Sequence, residues 1–375
     1  MDNVVTAAHD RSMQLPATLS WLVDAAGASP SSERFLAELG THLVEDGVPL
    51  AGAALTLNVP DPLIARRTFL WRAESGEVIE ALGFSFSPEP ENTGLLDEAG
   101  RSWLAELGGG PVHEHALGDG ANAPSLGFVG TRRLTEAEVD RLAHAARFAV
   151  APLAALSARA TLAAALDAYL GKRSAARVLS GPLRRDYGET IEAALLFADL
   201  RGFTELSEAA PAATVISALN AWFDRIAGAT HAFGGEVLKF IGDGFLAIFP
   251  VTGESPREAC RAALRAVRAA QAGMAHLGAA REQQGLQPLH FGAALHLGEI
   301  FWGNVGAADR LDFTAIGPAV NLVSRLEGLC KPLNRTVLIS SAVAAFAESP
   351  LLPLGAHHLR GIASPCAVFT LPDEK

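Results

Sequence analysis

Cysteine is scarce in this chain: Cys260, Cys330 and Cys366 are the three among 375 residues. They form no CxxC pair and are odd in number. That argues against a disulfide framework and a cysteine zinc site, and for a reducing compartment. Basic residues are also in deficit, 30 Lys and Arg against 41 Asp and Glu, for a net charge of −11. With no basic block to offset this, recognition of nucleic acid through a basic face is not expected. The stretch from Met1 to Leu15 lacks the basic-then-apolar pattern of a signal peptide. The most apolar region, Phe148 to Leu170, is interrupted by Pro152, Arg159 and Asp167. The expectation is that no segment spans a bilayer and that the protein is cytoplasmic. What remains is an ordinary globular composition, 49% hydrophobic and 19% charged, with a length that suits about two to three domains.

Residues 1–134 mix short helical and strand patterns. Ser32 to Glu45 has helical spacing, with Phe35, Leu36, Leu39 and Leu43 on one side. Ala51 to Val59 and Arg67 to Arg72 predict strands, the second followed by a turn at Glu74-Ser75-Gly76. Pro88-Glu89-Pro90 and Gly108 to Gly110 predict loops, and Ser125 to Val129 a closing strand. The layout resembles a small α+β sensor of the GAF or PAS kind. His113-Glu114-His115 has alternate imidazoles that a metal can use, but no third ligand is identifiable, and a solvated loop is expected there. Trp21, Trp71 and Trp103 are expected in the core.

Residues 135–190 form the joint. Leu134-Thr135-Glu136-Ala137-Glu138-Val139 combines a capping box, Thr135 with Glu138, and a hydrophobic staple, Leu134 with Val139. A helix is predicted from there to Leu170, stopped by Gly171, roughly 50 Å long at 1.5 Å per residue. Pro152 is expected to kink or split it. Leu142, Ala146, Ala149, Leu153, Leu156, Ala160, Ala163 and Leu170 fall near a seven-residue repeat. Either a parallel seam between two protomers or an alanine-rich helix lying on its own domain accounts for that repeat.

Residues 191–375 carry the chemistry. Ile191 to Phe197 is a continuous apolar run ending at Asp199, as a buried strand would. Pro211 opens a helix to about Ala232, with Val215, Leu219, Trp222, Phe223 and Ile226 inward. Gly234 to Pro250 predicts a hairpin turning at Gly242-Asp243-Gly244. Ser255 to Glu258 offers a capping box for a helix to about Gln284, and Leu289 to Leu297 is again a strand. The order βαββαβ is the ferredoxin-like arrangement. There the first strand lies antiparallel to the second hairpin strand, which brings Asp199 beside Asp243. Two such carboxylates repel unless they share a proton or hold cations. An oxygen-rich pair of this kind suits Mg²⁺ and phosphates. Further strands are expected at Leu311 to Ile316, Val337 to Ser340 and Cys366 to Leu371, with helices from Pro318 to Leu329 and Ser341 to Ala347.

Three segments together resemble the class III nucleotidyl cyclases: Phe197 to Thr204, Lys239 to Gly244, and Phe313 to Gly317 running into Asn321 to Glu327. The resemblance spans roughly Ile191 to Leu371. It implies an α+β, ferredoxin-like cyclase catalytic domain that converts ATP to 3′,5′-cyclic AMP and pyrophosphate. Asp199 and Asp243, with the Leu200 carbonyl, would hold two Mg²⁺ ions per site, with Mn²⁺ able to substitute. Lys239 and Thr314 match the base-selecting positions and suit adenine, the ammonium donating to N1 and the hydroxyl accepting from N6. Thr314 departs from the Asp of the animal enzymes, which softens that selectivity. Phe203 and Thr204 fall on the substrate, Asn321 on the ribose, Arg325 on the charge that builds on the α-phosphate, and Arg360 on the phosphates. The resemblance also implies a homodimer with shared sites, regulated through the N-terminal domain by an unknown signal. The rivals are a diguanylate cyclase, whose turn motif this chain lacks, a non-catalytic ATP sensor, and a cyclase of relaxed or guanine selectivity.

Overall fold

The computed structural model describes residues 15–58, 64–84, 96–118 and 123–372. The expectations for Met1 to Gln14, Val59 and Pro88 to Pro90 lie outside these. The chain divides into two units, Met1–Leu162 and Ala163–Lys375.

The first unit runs α1 (Ala17–Asp24), α2 (Ser32–Glu45), β1 (Leu50–Asn58), β2 (Ile64–Arg72), β3 (Val78–Phe84), α3 (Glu98–Leu107), β4 (His113–Ala116), β5 (Ser125–Gly130) and the part of α4 (Glu136–Leu170) up to Leu162. Its five strands form an antiparallel sheet in the order β3-β2-β1-β5-β4. The Ser31 hydroxyl accepts from the Arg34 N–H and starts α2. Phe35, Leu36, Leu39 and Leu43 are buried in one cluster with Leu55, Trp71 and Phe128 of the sheet. Trp71 is core, whereas Trp21 and Trp103 are half-buried at its edges.

The His113-Glu114-His115 segment is strand, not a solvated loop. Glu114 pairs with Arg101 of α3 at 2.7 Å and accepts the Leu96 N–H, which holds the strand against the unit. Among the described residues, no group of three His, Cys, Asp or Glu is placed to hold a metal.

The capping box at α4 forms in both directions, Thr135 N–H to Glu138 Oε2 at 2.8 Å and Glu138 N–H to Thr135 Oγ1 at 3.4 Å. Of the kink or split expected at Pro152, the split does not occur: α4 is helical on both sides of it. Leu142, Ala146, Ala149, Leu153 and Leu156 are buried in the first unit's own core. A seam between protomers therefore does not use those five positions. By length and composition, α4 is long and apolar enough to cross a membrane. Arg159 and Asp167 do not prevent that reading, because alanine raises hydropathy without bulk. Burial takes up 22% of the helix's most apolar 18-residue window and stops at Leu156, beyond which the helix is mostly exposed.

The second unit continues with α5 (Lys172–Ser180), β6 (Gly188–Leu200), α6 (Phe203–Ala209), α7 (Ala212–Ala232), β7 (Glu236–Ile241), β8 (Gly244–Pro250), α8 (Arg257–Gln283), β9 (Phe291–Gly306), β10 (Leu311–Ile316), α9 (Pro318–Glu327), β11 (Val337–Ser340), α10 (Ser341–Ala344), β12 (Leu352–His357) and β13 (Cys366–Thr370). The sheet order is β12-β13-β11-β9-β6-β8-β7, with β10 paired to β9. The four strands at one end, β9-β6-β8-β7, have the ferredoxin-like order expected of βαββαβ. Leu196 of β6 faces the cluster formed with Trp222, Ile226, Cys260 and Val267 of α7 and α8. Leu195 faces the opposite cluster, with Val323 and Leu326 of α9. Burial on both faces explains why this strand is a continuous apolar run rather than an alternating one.

Candidate active site

The register of β6 decides where its last carboxylate goes. Asp199 pairs with Gly244 on one side and with Gly292 on the other. Gly244 is the residue after Asp243, in the tight turn between β7 and β8, so the two aspartates come side by side. Gly242 has φ +65° and supplies the left-handed step of that turn. The turn is tethered from behind: Trp222 Nε1 of α7 donates to the Asp243 carbonyl at 3.1 Å. Burial, and then the Asp243 carboxylate within hydrogen-bonding reach, push Asp199 up to about 6.

Asp199, Leu200, Phe203, Thr204 and Asp243 line one cavity of about 390 Å³. Phe203 and Thr204 reach it because Gly202, at φ +72°, caps the short helix α6 immediately after the strand. Four charged groups outside the predicted set line the same cavity: Arg201 and Glu205 flanking Phe203 and Thr204, Glu327 at the end of α9, and Lys331 beyond it. Burial, then the Asp199 charge, raise Glu327 to about 7, against the opposing pull of Arg201. The donors are hard oxygens, and the adjacent Asp199 and Asp243 carboxylates repel unless they share a proton or hold a cation. That chemistry fits a divalent metal such as Mg²⁺.

The other predicted residues gather elsewhere in the unit. Lys239 of β7 is ion-paired to Asp312 of β10, two residues before Thr314 on the same strand. A β-bulge between Val237 and Lys239 sets the direction of the lysine. Thr314 is 8% exposed. Asn321 and Arg325 stand one turn apart on α9, both exposed. The Arg325 guanidinium lies against Gly361, the residue after Arg360. Lys239, Thr314, Asn321, Arg325 and Arg360 do not line the carboxylate cavity of their own chain. The predicted set therefore divides into a carboxylate group and a base-and-cation group. Sequence reasoning missed Asp312, Trp222 and Glu327. Of these, Glu327 alone had a visible cue, as the last residue of the Asn321 to Glu327 motif.

Comparison with known proteins bears on the second unit. Residues 187–361 match the family described as the adenylate and guanylate cyclase catalytic domain. Adenylate cyclase 1 of Rhizobium meliloti (strain 1021) is 32% identical over 183 residues, 48% of this chain and 27% of that protein. The adenylate cyclase of Anabaena cylindrica is 33% identical over 160 residues, 42% of this chain and 31% of that protein. The chain thus spans about a third or less of the length of these relatives. A solved bacterial light-regulated adenylyl cyclase superposes with a TM-score of 0.52 at 22% identity, over 68% of this chain and 85% of that one, a likeness of fold. Residues 187–361, with their cradled aspartate pair and ferredoxin-like sheet, are a class III adenylate/guanylate cyclase catalytic domain.

Proposed function

We propose that this chain is an adenylate cyclase that works as a homodimer, converting ATP to 3′,5′-cyclic AMP and pyrophosphate. In this reaction the ribose 3′-oxygen bonds to the α-phosphorus, and the bond from that phosphorus to the β-phosphate bridging oxygen breaks. The hydroxyl proton leaves to solvent. The observation that carries the reading is the meeting of Asp199 and Asp243 at the end of β6. Bound there, two Mg²⁺ ions would polarise the 3′-hydroxyl and neutralise the triphosphate.

The chain's own residues do the rest. Phe203 and Thr204 wall the nucleotide beside the aspartates. Lys239 and Thr314 read the base, Asn321 orients the ribose, and Arg325 with Arg360 offsets negative charge on the phosphates, most of all in the transition state. These groups stand apart from the aspartate cavity within one chain, which supports a site assembled from two chains. The first unit would pass a signal to the second, and a cytoplasmic location follows from the substrate. One observation favours a broader base selectivity: Asp312 beside Lys239 is an acceptor, and guanine presents an N–H where adenine does not.

Turnover is the test. Purified protein with MgATP or MnATP is expected to release 3′,5′-cyclic AMP, and Asp199→Ala or Asp243→Ala to abolish it while the circular dichroism spectrum is kept. Nucleotide binding without turnover in the native chain would leave a non-catalytic sensor instead.

A further inference from the structure

The position opposite Asp199 on β9 is Gly292, and residues paired across neighbouring strands share a sheet face. The space a side chain would fill there is already taken. A Cβ at Gly292 would collide with Glu327 Oε1 and with Arg201 Nη2. Glu327 comes from the last turn of α9 and Arg201 from just beyond β6, so two separate elements converge on a hole left by a glycine. Arg201 is kept in place by its backbone N–H, which donates to the His290 carbonyl at 2.7 Å. Its guanidinium also donates to the Arg335 carbonyl at 3.5 Å.

The charges around this hole do not balance. Asp199, Asp243 and Glu327 contribute three negative charges and Arg201 one positive, while Glu205 and Lys331, one of each sign, sit exposed at the rim. The negative charge left over is what bound divalent metal would offset. Direct ligation by all three carboxylates is not available, because no three acidic groups among the described residues converge on one ion. Glu327 faces the same cavity as the aspartates but stands back from them.

We propose that Glu327 is a third carboxylate of the metal centre, acting through a metal-bound water, and that Gly292 is glycine to admit it beside Asp199. Arg201, on the other side of that hole, offsets part of the Glu327 charge across it without pairing to it directly. This rests on the metal-site reading of Asp199 and Asp243. Groups in this second layer typically change metal affinity about 10–100-fold when altered.

The test is a Mn²⁺ titration of the full chain, alone and with 3′-deoxy-ATP, followed by the loss of the free-ion electron paramagnetic resonance signal. Asp243→Asn is expected to lose binding. Glu327→Gln is expected to weaken it about tenfold, and Glu327→Asp, which keeps the charge, by less. Native Mn²⁺ affinity in Glu327→Gln, with binding lost in Asp243→Asn, overturns the role of Glu327 alone. Native affinity in Asp243→Asn instead overturns the metal-site reading. Thermal melts check folding. Should the glutamine variant not fold, Gly292→Ala decides, since its new methyl displaces Glu327, and unchanged Mn²⁺ affinity there counts against the proposal.

Discussion

Trp222 does two things that its apolar neighbours on α7 do not. Its ring fills the core, fully buried, and its indole N–H holds the carbonyl of Asp243. Trp222→Phe keeps most of the bulk and removes the tether. A loss of about 1 kcal/mol in unfolding free energy is expected, together with weaker activation by Mg²⁺, measured as a higher half-saturating concentration. The Lys239–Asp312 pair belongs to the same scale. Asp312→Asn frees the ammonium for adenine N1 and removes the charge that would accept from the guanine N–H, so KM for ATP should fall with kcat largely kept, and discrimination against GTP should rise. Lys239→Glu should instead weaken the preference for ATP. If both variants discriminate as the native chain does, neither residue touches the base. Asp199 and Asp243 are legible in the sequence because glycines and strand patterns announce where each lies. Asp312, Trp222 and Glu327 are not, because a carboxylate two residues before a threonine or an indole on an apolar helix face acquires its role only when distant strands meet.

At the level of elements, most of the second unit is legible. The predicted strand Leu311 to Ile316 matches β10, and Val337 to Ser340 matches β11. The predicted strand Leu289 to Leu297 instead runs on to Gly306, because its later half pairs with β10 in a hairpin that glycines at 298, 303 and 306 obscure. The capping box expected at Ser255 is incomplete: the Ser255 hydroxyl accepts from Arg257 N–H, and Pro256 takes the cap position. β9 also carries a pH effect. His296 is pressed down to about 4 by burial, with Nδ1 2.9 Å from the Ser340 hydroxyl of β11. Its folded value lies below the ordinary histidine value of 6.5. The unfolded chain therefore binds the proton first, and stability present above pH 6.5 is lost as pH falls toward 4. The slope is at most about 1.4 kcal/mol per pH unit. His296→Gln should flatten that part of the stability curve in urea melts across this range. An unchanged slope would assign the acid sensitivity elsewhere.

For the whole molecule, the first unit is the least legible part. Its helix α2 and strands β1, β2 and β5 carry ordinary apolar spacing and were expected, but β4 hides in a polar tripeptide, His113 to His115, whose strand form depends on Arg101 from another element. The repeat along α4 is ambiguous for a physical reason. Alanine and leucine at seven-residue spacing suit a partner helix and a domain core equally well, and burial up to Leu156 decides for the core over that part. A dimer built on the proposed function should therefore be held mainly by other surfaces. Mixing Asp199→Ala chains with Arg325→Ala chains should restore part of the lost turnover, because one of the two sites in the mixed dimer has both halves intact. No recovery on mixing would mean that each chain completes its own site.

The partition of functional groups inside a single polypeptide has a genetic corollary. A chain bearing both lesions, Asp199→Ala with Arg325→Ala, would spoil both pockets of any native partner it captured, whereas either lesion alone would spoil one. Co-expressed with the native form, the doubly altered chain should be a dominant poison, with output falling as the square of the native fraction, while each singly altered chain should dilute it in simple proportion.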